Sequence, residues 1–367
     1  MEVIGKYIYL LKNAIWGTDM QVDVQPEEVL QIVQLSAFQG TGPLVFDQLL
    51  KQKNVEIPAA LRMQMKQQCM MSMMQQSTMM PILCQAWKAF EKAEIHPVLL
   101  KGFALAQHYP QPHLRQWDDI DLYVGQKQYH DACAVLREAF PEAKHPKEEF
   151  EFLKHYNFVF GDTVLEMHRI SMDFHHPRDR RYYEGLEEKY LTKDGPSFEL
   201  NEIRITTPDE TFNVFFTFLH AWHHFMETGM NMKQVCDVAV LLHAKHDVID
   251  RVQLKEMLTK LHLMEVWQLL MYIIVQYLRI PKEECPFYTE ACKNRAELLF
   301  KQILKEGSSY RQEKIEDAVA SYVKRKLLTF QSRLADSKRV RPFAPKYSRH
   351  MVVSDFVHGI ERTLKGK

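Results

Sequence analysis

The sequence predicts an α+β fold: a mixed sheet with helices packed on it, flanked on both sides by helical regions. Three observations predict it. Both ends of the chain carry apolar residues at helical spacing, short β-type runs are concentrated between them, and one of those runs contains an Asp-x-Asp. Residues 1–94 are expected to be helical, with Gln25-Pro26-Glu27-Glu28 and Gly42-Pro43 marking starts or turns and a long periodic stretch over 59–93. That stretch holds Met63, Met65, Met70, Met71, Met73, Met74, Met79 and Met80. Methionines at this spacing fill an irregular core, or else form an adaptable surface that closes on a substrate or partner.

Residues 95–206 are expected to form the α/β core. Val98-Leu99-Leu100 is a short buried strand, Phe103 opens a helix, the Asp-x-Asp run follows as a strand, and 126–140 is a helix with Tyr129, Cys133, Val135, Leu136 and Phe140 on its apolar side. Aromatic and β-branched residues over 150–160, the turn Gly161-Asp162 and the return through 163–168 spell a hairpin. The alternation over 198–205 predicts one more short strand. Residues 207–367 then read as a C-terminal helical region. Its first helix starts at Thr207-Pro208-Asp209-Glu210, with threonine as cap, proline at the first helical position and glutamate three residues after the cap. It ends near Gly229, and a second helix covers 232–244.

A chain of 367 residues with 46% hydrophobic and 26% charged content has the composition of an ordinary soluble globular protein of one large or two to three ordinary domains. It has no run of eighteen apolar residues, and its start lacks the apolar core and cleavage site of a secretory signal, so no transmembrane segment and a cytoplasmic location are expected. The six cysteines form no Cys-x-x-Cys pair, which argues against zinc modules and a disulfide framework. Formal net charge is zero, yet 324–367 holds twelve Lys or Arg against Asp336, Asp355 and Glu361. Such a basic tail could bind RNA or another anionic surface; its many apolar side chains favour packing on an acidic body instead.

The chemistry centres on Asp119 and Asp121. Strand side chains alternate, so both carboxylates project from one face, while Asp118 points to the other. Two like charges side by side are costly, and a hard divalent cation with oxygen ligands resolves the repulsion. Just upstream, Lys101-Gly102 joins a strand to a helix start, an arrangement in which backbone N–H groups can approach phosphate. Arg115 is either a surface charge or a planar donor to phosphate.

The Lys101-Gly102, Arg115 and Asp119-Ile120-Asp121 series resembles the nucleotidyltransferase superfamily typified by DNA polymerase β, and more closely a small, largely uncharacterised bacterial branch with that pattern. The resemblance covers about 95–245. The serine that follows the glycine in much of the superfamily is replaced by Phe103. The superfamily carries a third carboxylate on a later strand, and the branch has Glu-x-His there, which Glu166-Met167-His168 matches. The resemblance therefore implies Asp119, Asp121 and Glu166 as metal ligands and catalytic carboxylates, with Mg²⁺ as cofactor, two ions in all, and Mn²⁺ as an alternative. His168 is a core histidine or a substrate contact.

The branch also has a histidine series, a break and an aspartate on the next helix. His220, His224, Lys233 and Asp237 fit that order, as groups that line an acceptor pocket or position a helix pair. Zinc at His220 and His224 is disfavoured, because no glutamate follows His220 and no third ligand is evident. The expected reaction is attack of a hydroxyl on the α-phosphate of a nucleoside triphosphate such as ATP, with release of pyrophosphate. One ion would lower the pKa of the acceptor hydroxyl and a second, held by Asp119 and Asp121, would bind the triphosphate. Lys101, the backbone at Gly102 and Arg115 would offset the leaving charge. A small molecule or sugar phosphate is the first expectation for the acceptor; RNA or protein comes second, and a non-catalytic antitoxin or assembly partner third.

Overall fold

The structure is a computed structural model that describes residues 2–145, 155–174, 176–307 and 337–348. The chain forms two compact units.

The first unit opens with four helices, α1 (Val3–Trp16), α2 (Pro26–Phe38), α3 (Gly42–Leu50) and α4 (Ala59–Lys92). The strands β1 (Val98–Leu100), β2 (Asp119–Tyr123), β3 (His155–Phe160) and β4 (Thr163–His168) form a sheet of order β1-β2-β4-β3. β1 and β3 are antiparallel to their neighbours, whereas β2 and β4 run parallel. This is the mixed sheet flanked by helices that the sequence predicts. A parallel pair needs a crossover, and here α6 (Gly125–Ala139) leads it before β3 and β4 return.

One sheet face is apolar. Leu99, Ile120, Leu122, Tyr156, Phe158, Leu165 and Met167 pack there against Met79, Leu83, Trp87 and Phe90 of α4 and Tyr129, Cys133 and Leu136 of α6 in one buried cluster. The period of two that buries these residues sends their neighbours to the opposite face.

Two sequence expectations are corrected. The segment 198–205 is not one strand but a hairpin of β5 (Ser197–Leu200) and β6 (Ile203–Thr206), closed by Asn201 and Glu202, both at positive φ. That pair of left-handed residues is the conformation of a tight two-residue turn, reached without the glycine that would have signalled it. The cap of α8 (Glu210–Glu227) is Asp209, whose Oδ1 accepts from the backbone N–H of Thr211 and Phe212, while Thr207 donates to the Pro196 carbonyl. On α4 only Met65 and Met79 are deeply buried; Met63, Met70, Met71, Met73 and Met74 are exposed. The beginning of the expected strand at 150–154 lies outside the described residues.

The second unit contains most of α8 and the helices α9 (Met232–Lys245), α10 (Arg251–Lys260), α11 (Met264–Ile273) and α12 (Lys293–Glu306) around Phe215, Phe216, Phe218, Trp222 and Trp267. Asn231 and Gln234 form a reciprocal capping box at the start of α9. Of the basic tail, 337–348 is described. There Val340, Phe343 and Ala344 are buried, and Arg339 reaches Glu306 and lies 3.9 Å above the Phe225 ring.

Candidate active site

With Ile120 and Leu122 turned into the core, Asp119 and Asp121 occupy the other sheet face. The parallel register places Asp121 beside Glu166, and the hairpin register places Asn157 opposite Glu166 and His155 opposite His168. One oxygen from each of Asp119, Asp121 and Glu166 falls within 4.8 Å of the others. The chain thus brings together three carboxylates from two strands that are far apart in sequence.

Asp121 is fully buried. Lys101 Nζ donates to its Oδ1 at 2.9 Å and His168 Nε2 at 2.8 Å, and the same His168 nitrogen is 3.2 Å from Glu166. Burial alone would raise the Asp121 carboxyl, but the Lys101 charge and the His168 hydrogen bond outweigh it and hold the group well below the usual carboxylate range. Glu166 is likewise lowered: burial and the Asp121 charge oppose ionisation, and the hydrogen bond and charge of His168 prevail with help from His155. Burial disfavours the charged form of His168, yet its hydrogen bonds to Asp121 and Glu166 raise it. Lys101 is pushed up to about 12, since the Asp121 and Asp119 charges overcome its burial.

Asp121 Oδ2 is buried and has no hydrogen-bond partner. A buried carboxylate oxygen left without a donor is costly, and a cation is what would satisfy it. The all-oxygen donor set of Asp119, Asp121 and Glu166 suits Mg²⁺ or Mn²⁺.

The turn that carries Lys101 is strained. Lys101 has φ 44° and ψ −145°, and Gly102 also has φ 44°. A Cβ at Gly102 would lie 3.3 Å from the Asp119 carbonyl oxygen and from Trp117. Only glycine combines this φ with so close an approach. The following helix α5 (Gly102–Ala106) is a short one.

Arg115 is not a surface charge. It is 5% exposed, and its Nη1 donates to the Gly102 carbonyl at 3.4 Å. The 3-10 turn before it, Pro112–Leu114, is held by α4: Gln76 Nε2 donates to the Pro112 and Arg115 carbonyls, and Ser72 Oγ to that of His113. Sequence reasoning missed Ser72 and Gln76, because polar residues in a methionine-rich helix carry no local signal of what they face. It also missed His155 and Asn157, although the two-residue turn at Gly161-Asp162 fixes a register that puts them opposite His168 and Glu166.

The remaining candidates belong to the second unit. On α8, His220 Nε2 and His224 Nε2 are 3.2 Å apart, and among the described residues no third ligand joins them. On α9, Lys233 donates its backbone N–H to Gln39 and Asp237 is buried.

Residues 25–279 match the family described as uncharacterised nucleotidyltransferase. The chain belongs to this family. No curated protein and no solved structure matches it. As a nucleotidyltransferase it is a transferase of phosphorus-containing groups. Among the described residues of this nucleotidyltransferase no helix is long and apolar enough to cross a membrane.

Proposed function

We propose that this nucleotidyltransferase depends on a divalent metal and moves a nucleoside monophosphate from a nucleoside triphosphate to the hydroxyl of a small molecule or sugar phosphate. The observation that carries the reading is the convergence of Asp119, Asp121 and Glu166, with one Asp121 oxygen buried and unsatisfied. Mg²⁺ held by these three residues would supply a Lewis acid that neutralises triphosphate charge and acidifies the acceptor hydroxyl. In the reaction the acceptor hydroxyl gives its proton to solvent, its oxygen bonds to the α-phosphorus, the bond to the bridging oxygen breaks, and pyrophosphate carries that electron pair away.

The chain's own groups prepare this step. Lys101 and Arg115 bring two positive charges to the β1–α5 turn, where the leaving pyrophosphate would gain negative charge. Lys101 also anchors Asp121, and His168 fixes the orientation of both Asp121 and Glu166. The strained Lys101-Gly102 backbone keeps the turn close to the start of β2, so the cation-binding face and the anion-binding turn adjoin.

Against RNA as the acceptor stands Arg339, one of the twelve cations of the basic stretch. In the described part of the basic stretch its guanidinium is committed to Glu306 and the Phe225 ring. Incubation with each α-labelled nucleoside triphosphate and Mg²⁺ tests the proposal. Label should move to a small molecule, EDTA should stop the transfer and Mn²⁺ should restore it. Label on RNA or protein would overturn the acceptor, and no transfer to any acceptor class would overturn the reading.

A further inference from the structure

Glu166 also belongs to a second donor set. His155 and His168 oppose each other across β3 and β4, beside the Asn157 and Glu166 pair on the same sheet face. One ligand atom from each of His155, Glu166 and His168 falls within 4.8 Å of the others. His155 Nε2 is 3.8 Å from Glu166 Oε1 and His168 Nε2 is 3.2 Å from Oε2, so the two imidazoles address different oxygens of one carboxylate. Opposite Glu166, Asn157 Oδ1 is buried and has no hydrogen-bond partner. Such an acceptor calls for a donor or a cation.

The chemistry of this set differs from that of the carboxylate triad. Mg²⁺ prefers oxygen ligands throughout, whereas imidazole nitrogen suits the divalent ions of the first transition row. We propose that His155, Glu166 and His168 form a second cation site, for a transition ion such as Zn²⁺, that shares Glu166 with Asp119 and Asp121. Both strands are fixed by the sheet, so the three ligands are held without loop closure. The site goes beyond the transfer reading and does not rest on it. Because the His168 nitrogen that faces Glu166 also holds Asp121, an ion in the site would compete with Asp121 for that nitrogen and so couple to the neighbouring triad.

Calorimetric titration of the full chain with Zn²⁺ tests this, with His155→Ala, His155→Gln, Asp119→Asn and His220→Ala alongside and circular dichroism to check folding. His155 is the residue to change because its side chain is 34% exposed, against 5% for His168. Zn²⁺ binding is expected in the unaltered chain and in Asp119→Asn, where the carboxylate triad is broken; it should be unchanged by His220→Ala and lost when either His155 variant is combined with Asp119→Asn. Absence of Zn²⁺ binding in Asp119→Asn, its persistence when His155 is also replaced in that variant, or its loss with His220 overturns the site. Zinc X-ray absorption on His220→Ala gives a reading that needs no change at His155: two imidazoles support the proposal, and fewer overturn it.

Discussion

Asp119 and Asp121 share a strand face but not an environment. Asp121 is fully buried between Lys101 and His168, whereas Asp119 keeps partial contact with solvent. Asp121→Asn should therefore lose activity and also about 3–5 kcal/mol of stability in urea unfolding, since it breaks a buried ion pair. Asp119→Asn should lower transfer by about 10²-fold or more while changing stability by less than about 1 kcal/mol. Equal stability of the two variants would show that the buried ion pair contributes nothing to the fold. Gly102→Ala should cost about 1–2 kcal/mol, from positive φ and the contact of the new methyl group with the Asp119 carbonyl and Trp117; an unchanged melting temperature would mean that the turn relaxes freely. At this scale Asp119 and Asp121 were legible because strand alternation is a strict rule, and Glu166 through the resemblance. What was not legible is that Lys101 and His168 both converge on one oxygen of Asp121, which depends on a backbone at φ 44° that no lysine announces.

Among the elements, α7 (Pro177–Tyr190) reaches the segment after β4 through one buried carboxylate. Glu187, 2% exposed, accepts from the Ser171 backbone N–H and from its hydroxyl, which also meets Tyr183. Burial dominates and pushes Glu187 up to about 7 from an ordinary 4.5. The folded chain then keeps a proton that the unfolded chain has released. The contribution of this group to stability is full below about 4.5 and is lost as pH rises through about 7. Glu187→Gln, which can still accept from Ser171, should lose this part of the pH dependence. The unaltered protein should fall by up to roughly 3 kcal/mol relative to it. Parallel pH profiles of unfolding for the two proteins would remove Glu187 as the source. Element types were largely readable from periodicity, but the β5–β6 hairpin was not. Its turn uses Asn201 and Glu202 at positive φ; asparagine tolerates that conformation, but glutamate gives no local signal of it. The α8 cap was misplaced for a related reason: Thr207 and Asp209 are both good caps, and tertiary contacts take up Thr207.

For the whole molecule, the first question is whether the basic C-terminal stretch serves a partner or the fold. Arg339→Ala should cost about 1.5–3 kcal/mol, because a charged hydrogen-bonding group held against Glu306 is removed. Filter binding at two salt concentrations should show no tight, salt-sensitive RNA association, with or without charge reversal at the exposed Lys338 and Arg341; salt-sensitive binding abolished by reversal would assign the stretch to nucleic acid. A second matter is the order in which the chain becomes competent. Glu166 reaches the aspartates only when β4 pairs in parallel with β2, after α6 and β3 have been laid down. Closing so long a loop is slow, and here it also forces carboxylates together. Lys101, placed beside Asp121 by the neighbouring strand β1, supplies compensating charge before Glu166 arrives. The side chain proposed to serve phosphate in the finished enzyme would then act earlier as an electrostatic escort, so its removal should slow refolding more than it hastens unfolding.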